Sequence, residues 1–148
     1  MSIKLVNIGV IQMIGLSVKG KYGLLALYEL ATHFHKGPIQ IKLIAETHNI
    51  PQNYLEQLLV DLKKAELVRS YRGNQGGYEL AKLPDSITIL EALTCLEGPL
   101  QLSQNSSSAC LDFFWEDVES AIRISMSLTL ADLISQKQRL DRMLTFSI

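Results

Sequence analysis

Apolar residues recur at helical spacing from Ser17 to about Phe34: Leu24, Leu27, Tyr28 and Ala31 form a stripe that Leu25 and Leu30 widen. The pattern predicts a largely buried helix. Ser17 stands where an N-cap belongs, and Gly37-Pro38 ends the run. Ile41 to His48 reads as a short second helix with Leu43, Ile44 and Ala45 facing inward. Asn49-Ile50 is then a turn, and Pro51, with its fixed φ and no N–H, suits the first position of the next helix. That third helix, Pro51 to about Glu66, carries Leu55, Leu58, Leu59 and Leu62 at i, i+3, i+4 and i+7, a buried stripe. Its opposite side is polar: Asn53, Gln57, Asp61 and Lys64, with Glu56 and Lys63 on the flank.

Leu67 to Tyr71 and Tyr78 to Ala81 are short strand-like runs joined by Arg72-Gly73-Asn74-Gln75-Gly76-Gly77. Glycine permits the positive φ a tight hairpin tip needs, and its missing side chain lets backbone amides approach a phosphate. Helix, turn, helix and glycine-rich hairpin, in that order over Ile39 to Leu80, describe a winged helix with a DNA-reading surface. After Pro84, Thr88 and Glu91 have the spacing of a capping box and open a fourth helix to about Leu96. Gly98 to Ala109 is polar and rich in serine (Ser103, Ser106, Ser107, Ser108), a loop by composition. A longer helix from about Asp112 to Leu128 carries Phe114, Trp115, Val118, Ala121, Ile122 and Met126. With the small domain enclosing its own core, this apolar helix needs a partner, and a second copy of the chain is the economical choice. The fold class is therefore mainly α with a small β-hairpin wing. It divides into a winged helix-turn-helix domain over 13–83 (helix-turn-helix about 41–66, wing about 67–81) and a segment 84–148 of linker, sensor-type loop and dimerisation helix.

The 148 residues suffice for one domain and an appended element, and 47% hydrophobic with 20% charged residues excludes wholesale disorder. A net charge of -1 argues against a nucleic-acid binder only until its distribution is read. Residues 1–83 hold ten Lys/Arg against six Asp/Glu, and residues 84–148 hold four against nine. A basic front half and an acidic back half suit a module that meets phosphates with one end. The two cysteines, Cys95 and Cys110, are too few for a disulfide framework, so a reducing cytoplasm is the expected location. The apolar first eighteen residues mimic a signal peptide, but Asn7 and Gln12 interrupt them and no small-residue cleavage site follows. No stretch is long enough to span a bilayer. Met13 is an alternative start to Met1.

No nucleophile, acid/base pair or phosphate-binding loop stands out, and no enzyme activity is expected; Gly73 to Gly77 lacks the Lys-Ser/Thr of a P-loop. His33 and His35 resemble a metal pair, but i, i+2 on a helix points them about 200° apart. Helix C-capping is the blander role for them and for His48.

Lys19-Gly20-Lys21-Tyr22-Gly23, Tyr54-Leu55-Glu56-Gln57-Leu58, Lys63-Lys64-Ala65-Glu66-Leu67-Val68, Arg72-Gly73-Asn74-Gln75-Gly76-Gly77-Tyr78 and Thr129-Leu130-Ala131-Asp132-Leu133 occur in order. Together they resemble the IscR-type (Rrf-two) bacterial transcription regulators, over about Met13 to Ile134. The resemblance implies a homodimer, a repressor by expectation, whose long helices cross at the interface and whose recognition helices enter successive major grooves of a near-palindromic operator. It further implies that Glu56 and Asn53 reach base edges, within a reading surface that includes Tyr54 and Gln57, and that Arg72 enters the minor groove. The chemistry agrees: a carboxylate accepts from cytosine N4, an amide can pair with adenine, and Arg favours a narrow minor groove. Lys21, Tyr22, Lys63 and the glycines Gly73, Gly76 and Gly77 are expected at phosphates, which set register and affinity rather than sequence.

Cluster-binding relatives place three cysteines between the fourth helix and the long helix as iron–sulfur ligands. This chain has Cys110 there, Ser106 to Ser108 where another thiol would stand, and Cys95 earlier on the fourth helix. Two thiolates per monomer do not complete an all-cysteine site, and as buried or incidental thiols both residues have an ordinary explanation. Two alternatives remain open: an iron–sulfur or redox sensor using Cys95 and Cys110, and a winged-helix protein-interaction module answering to a protein effector.

Overall fold

A computed structural model of the chain describes residues 15–102 and 109–147. The alternative start at Met13 and the serines Ser103, Ser106, Ser107 and Ser108 lie outside the described residues. Helix α1 spans Val18–Thr32, α2 Ile41–His48 and α3 Gln52–Lys64; strands β1 Val68–Tyr71 and β2 Gly77–Leu80 follow. Helix α4 is Ile89–Glu97, α5 Asp112–Ser125 and α6 Leu130–Phe146, with single 3-10 turns at Pro84–Ser86 and Ala109–Leu111. The strands pair antiparallel, Val68 opposite Leu80 and Tyr71 opposite Gly77. No helix among the described residues is long and apolar enough to cross a membrane.

One core joins the elements. Leu27 and Leu30 of α1, Ile44 of α2, Leu55, Leu58, Leu59 and Leu62 of α3, Val68 and Leu80 of the hairpin and Leu93 and Leu96 of α4 all belong to it. Ile122, Met126 and Leu130 extend it into the C-terminal segment. Each fully buried leucine contributes roughly 1.5–3 kcal/mol relative to exposure, so the stripe on α3 anchors that helix firmly. Two turns are shaped by left-handed residues. Asn49 (φ 52°) closes α2 with Ile50 N–H donating to Ala45 O at 2.9 Å, and Glu66 (φ 60°) closes α3 with Leu67 N–H donating to Leu62 O at 3.0 Å. The first suits Asn, which tolerates this region.

Several local expectations change. Leu43 is half-exposed while Ile44 and Ala45 are buried, because three successive helical residues span about 200° and cannot share a face. Pro51 flanks α3 rather than starting it. Ser17 occupies the N-cap position of α1 without a side-chain cap bond; Glu97 from the end of α4 caps the helix instead. Thr88 Oγ1 accepts from Glu91 N–H at 3.0 Å, but the Glu91 carboxylate accepts from Lys82 Nζ at 2.9 Å, which leaves half a capping box. The helix expected over 112–128 ends at Ser125, and a second one, α6, follows. Thr129 and Asp132 start α6 with a full capping box. His33 sits at the C-terminus of α1 with Nδ1 3.0 Å from Glu29 O. His48 meets the Glu29 carboxylate at 2.9 Å rather than capping α2.

Candidate nucleic-acid interface

Burial of its leucines leaves α3 with Asn53, Tyr54, Glu56, Gln57, Lys63 and Lys64 exposed. Gln52 Nε2 lies 3.5 Å from Glu56 Oε1. Asp61, expected on the same face, turns aside: its carboxylate pairs with Lys19 of α1 at 2.9 Å. The hydrogen bond from Lys19 to Asp61 is the largest influence on the Lys19 ammonium and raises its pKa. Tyr22 of α1 packs edge-on against Tyr54, ring centres 5.8 Å apart. The first turn of α1 thus braces α3 at two points, and Lys21 beside them is exposed.

A contact that the sequence pattern does not announce joins the wing to the helices. Ile39, before α2, exchanges two backbone hydrogen bonds with Tyr78, each 2.8 Å, so the linker adds a one-residue antiparallel bridge to the hairpin. Gln40 Nε2 then donates to Asn74 O in the tip at 3.3 Å. The signal is faint: Ile39-Gln40-Ile41 after Pro38 alternates apolar and polar over only three positions. On the other side, Lys63 Nζ donates to Ser70 Oγ of β1 at 2.5 Å. Tyr71 Oη donates to Glu79 Oε1 at 2.6 Å, the first cause of a raised Tyr71 pKa.

Arg72 is exposed at the tip and has no ion-pair or hydrogen-bond partner among the described residues. Gly73 beside it is exposed with φ +99°, and nothing lies within 4 Å of where a Cβ would stand. The other two glycines serve differently. Gly76 is buried and its N–H donates to Gly73 O at 2.9 Å. A Cβ there would lie 2.4 Å from Tyr71 O. Gly77 is required where β2 approaches Ile39. The sequence expectation places both at phosphates; their packing gives them a steric role in shaping the tip.

The two cysteines stand on different elements, Cys95 on α4 and Cys110 in the turn before α5. Cys95 is half-buried, its Sγ 3.8 Å from Asp61 O, and burial first and the Asp61 charge second push its thiol pKa up. Cys110 is exposed in the turn Ala109–Leu111. Among the described residues no three His, Cys, Asp or Glu side chains form a metal-binding group. Two thiols, one half-buried and one exposed, do not complete the four-cysteine donor set of an iron–sulfur cluster within one protomer.

Comparison with known proteins agrees with this architecture. Residues 16–136 match the Rrf2 family, described as "Iron-dependent Transcriptional regulator". The HTH-type transcriptional regulator CymR of Bacillus subtilis (strain 168) is 40% identical over 124 residues, 81% of this chain and 89% of CymR. The structure of CymR (YrzC), the global cysteine regulator of B. subtilis, superposes with a TM-score of 0.72 at 38% identity, covering 82% of this chain and 96% of that one. T. potens IscR superposes with a TM-score of 0.70 at 39% identity, covering 84% and 90%. With its helix-turn-helix packed on the shared core, its wing and a match across most of its length, the chain belongs to the Rrf2 family of DNA-binding transcription regulators.

Proposed function

We propose that the protein acts as a homodimeric repressor on a near-palindromic operator, with Glu56 and Asn53 at base edges, Tyr54 and Gln57 beside them, and Arg72 in the minor groove. The observation that carries this reading is the pairing of a solvent-facing polar side on α3 with an exposed arginine at a hairpin tip tied to the same helix-turn-helix. Lys21, Tyr22, Lys63 and the Gly73 amide supply phosphate contacts that fix register. Lys63 reaches a phosphate by exchanging its Ser70 hydroxyl for a phosphate oxygen, a stronger, charge-assisted partner.

Two substitutions separate the roles in gel shifts with promoter DNA. Glu56→Ala is expected to relax preference at one base pair per half-site, by about 1–3 kcal/mol of discrimination, with non-specific binding nearly intact. Site selection returning the wild-type preference there would remove Glu56 from the reading surface. Arg72→Ala is expected to weaken binding to all sequences and to reduce the salt slope by about 1 per protomer. A slope equal to wild type would deny Arg72 a groove or phosphate contact.

A further inference from the structure

Glu97 is the last residue of α4, yet its carboxylate is seated in the first turn of α1. Oε1 accepts from Ser17 N–H at 2.9 Å, from Ser17 Oγ–H at 2.5 Å and from Gly20 N–H at 2.9 Å. The backbone is cut to receive it: a Cβ on Gly20 would stand 2.6 Å from that same oxygen. A carboxylate at this position meets free N–H groups and the positive end of the helix dipole. Nothing in the local sequence of α1 supplies such a cap, since its own first turn holds no acidic residue and Ser17 does not cap.

The turn that Glu97 holds is also the turn that faces the interface. It carries Lys19, bound to Asp61 of α3, Lys21, exposed, and Tyr22, packed on Tyr54 of α3. We propose that Glu97 is a positioning residue for DNA binding: by capping α1 from α4 it sets the first turn so that Lys21 and Tyr22 meet the DNA backbone, while the recognition helix stays anchored by its own buried leucines. Glu97 touches no DNA itself. Gly98 follows it with φ +88° and leads into the loop, so the seat lies at the junction between loop and DNA-binding face. This assignment rests on the DNA-binding reading above.

The test uses the full-length protein and three variants. Glu97→Gln keeps the side-chain shape and an acceptor oxygen while removing the charge; Glu97→Ala removes the cap; Gly20→Ala leaves Glu97 in place and blocks its seat. Binding to promoter DNA and to unrelated DNA is measured from about 50 to 200 mM salt, with thermal unfolding recorded alongside. Loss of a backbone contact is expected to make the salt slope shallower by about 1 per protomer. Both DNAs should be affected by the same factor, with base preference unchanged and with Gly20→Ala matching Glu97→Ala. Folded variants with the wild-type slope and affinity overturn the proposal even if their unfolding temperature falls, because a cap serving stability alone would give that result. Should the wild type bind while the variants lose base preference instead, the positioning of backbone contacts is likewise refuted. A wild type that binds neither DNA would remove the DNA-binding reading and this assignment with it.

Discussion

Gly77→Ala is expected to lower the stability of the protein by about 3 kcal/mol and its unfolding temperature by roughly 10 °C. At this residue the wing strand passes so close to the linker before α2 that an added Cβ would stand 2.3 Å from Ile39 O, 2.5 Å from Ile39 C and 2.9 Å from Gln40 N. These are backbone atoms, so no side-chain rotation relieves the overlap. The backbone at Gly77 has φ +146°, which an L residue adopts only with strain. Relief requires β2 to move away from Ile39, breaking the two 2.8 Å bonds between Ile39 and Tyr78 and carrying Arg72 with it. DNA affinity should therefore fall together with stability. Gly73→Ala is the internal comparison: its φ of +99° is also strained, but nothing lies within 4 Å, so a cost nearer 1 kcal/mol is expected. Thermal unfolding of both variants checks the pair. Equal losses would show that backbone conformation, and not the contact with Ile39, makes Gly77 necessary.

The glycines also mark where the chain is legible as a sequence and where it is not. Periodicity reveals the four leucines of α3 because burial selects one face of a helix, and the fold class follows from the order of elements. It cannot separate Gly73, whose freedom serves an exposed tip, from Gly76 and Gly77, whose lack of a Cβ serves close contacts with neighbouring backbone. Glu97 is invisible for a related reason: its partners Ser17 and Gly20 lie about eighty positions away, and a carboxylate at the end of a helix reads as ordinary surface. Asp61 falls on the outer face of a helical projection, yet Lys19 draws it toward α1. The capping box of α6 escapes notice because Asp132 stands where the familiar pattern has Glu or Gln, though the shorter carboxylate still reaches Thr129 N–H at 2.9 Å.

The same geometry leaves a surface that one chain does not cover. Leu130 is buried, and Leu133 and Ile134 pack on the core. The remainder of α6 instead exposes Leu140 (50%), Met143 (67%), Leu144 (67%) and Phe146 (90%). Phe113, Phe114 and Ile124 of α5 are exposed as well. So much uncovered apolar area on consecutive helices is the mark of an association surface, and a two-fold pairing would place two recognition helices on one operator. Replacing Leu140 and Leu144 together by Lys is expected to convert a dimer into a monomer at micromolar concentration in sedimentation. Both residues already face solvent in the single chain, so helical content by circular dichroism should be retained. Operator binding should weaken by at least about 100-fold, because the second half-site is no longer engaged at the effective concentration that the dimer provides. The double variant remaining dimeric would move the interface off the outer half of α6. A monomeric wild type that nevertheless binds the full operator tightly would remove the dimer from the mechanism.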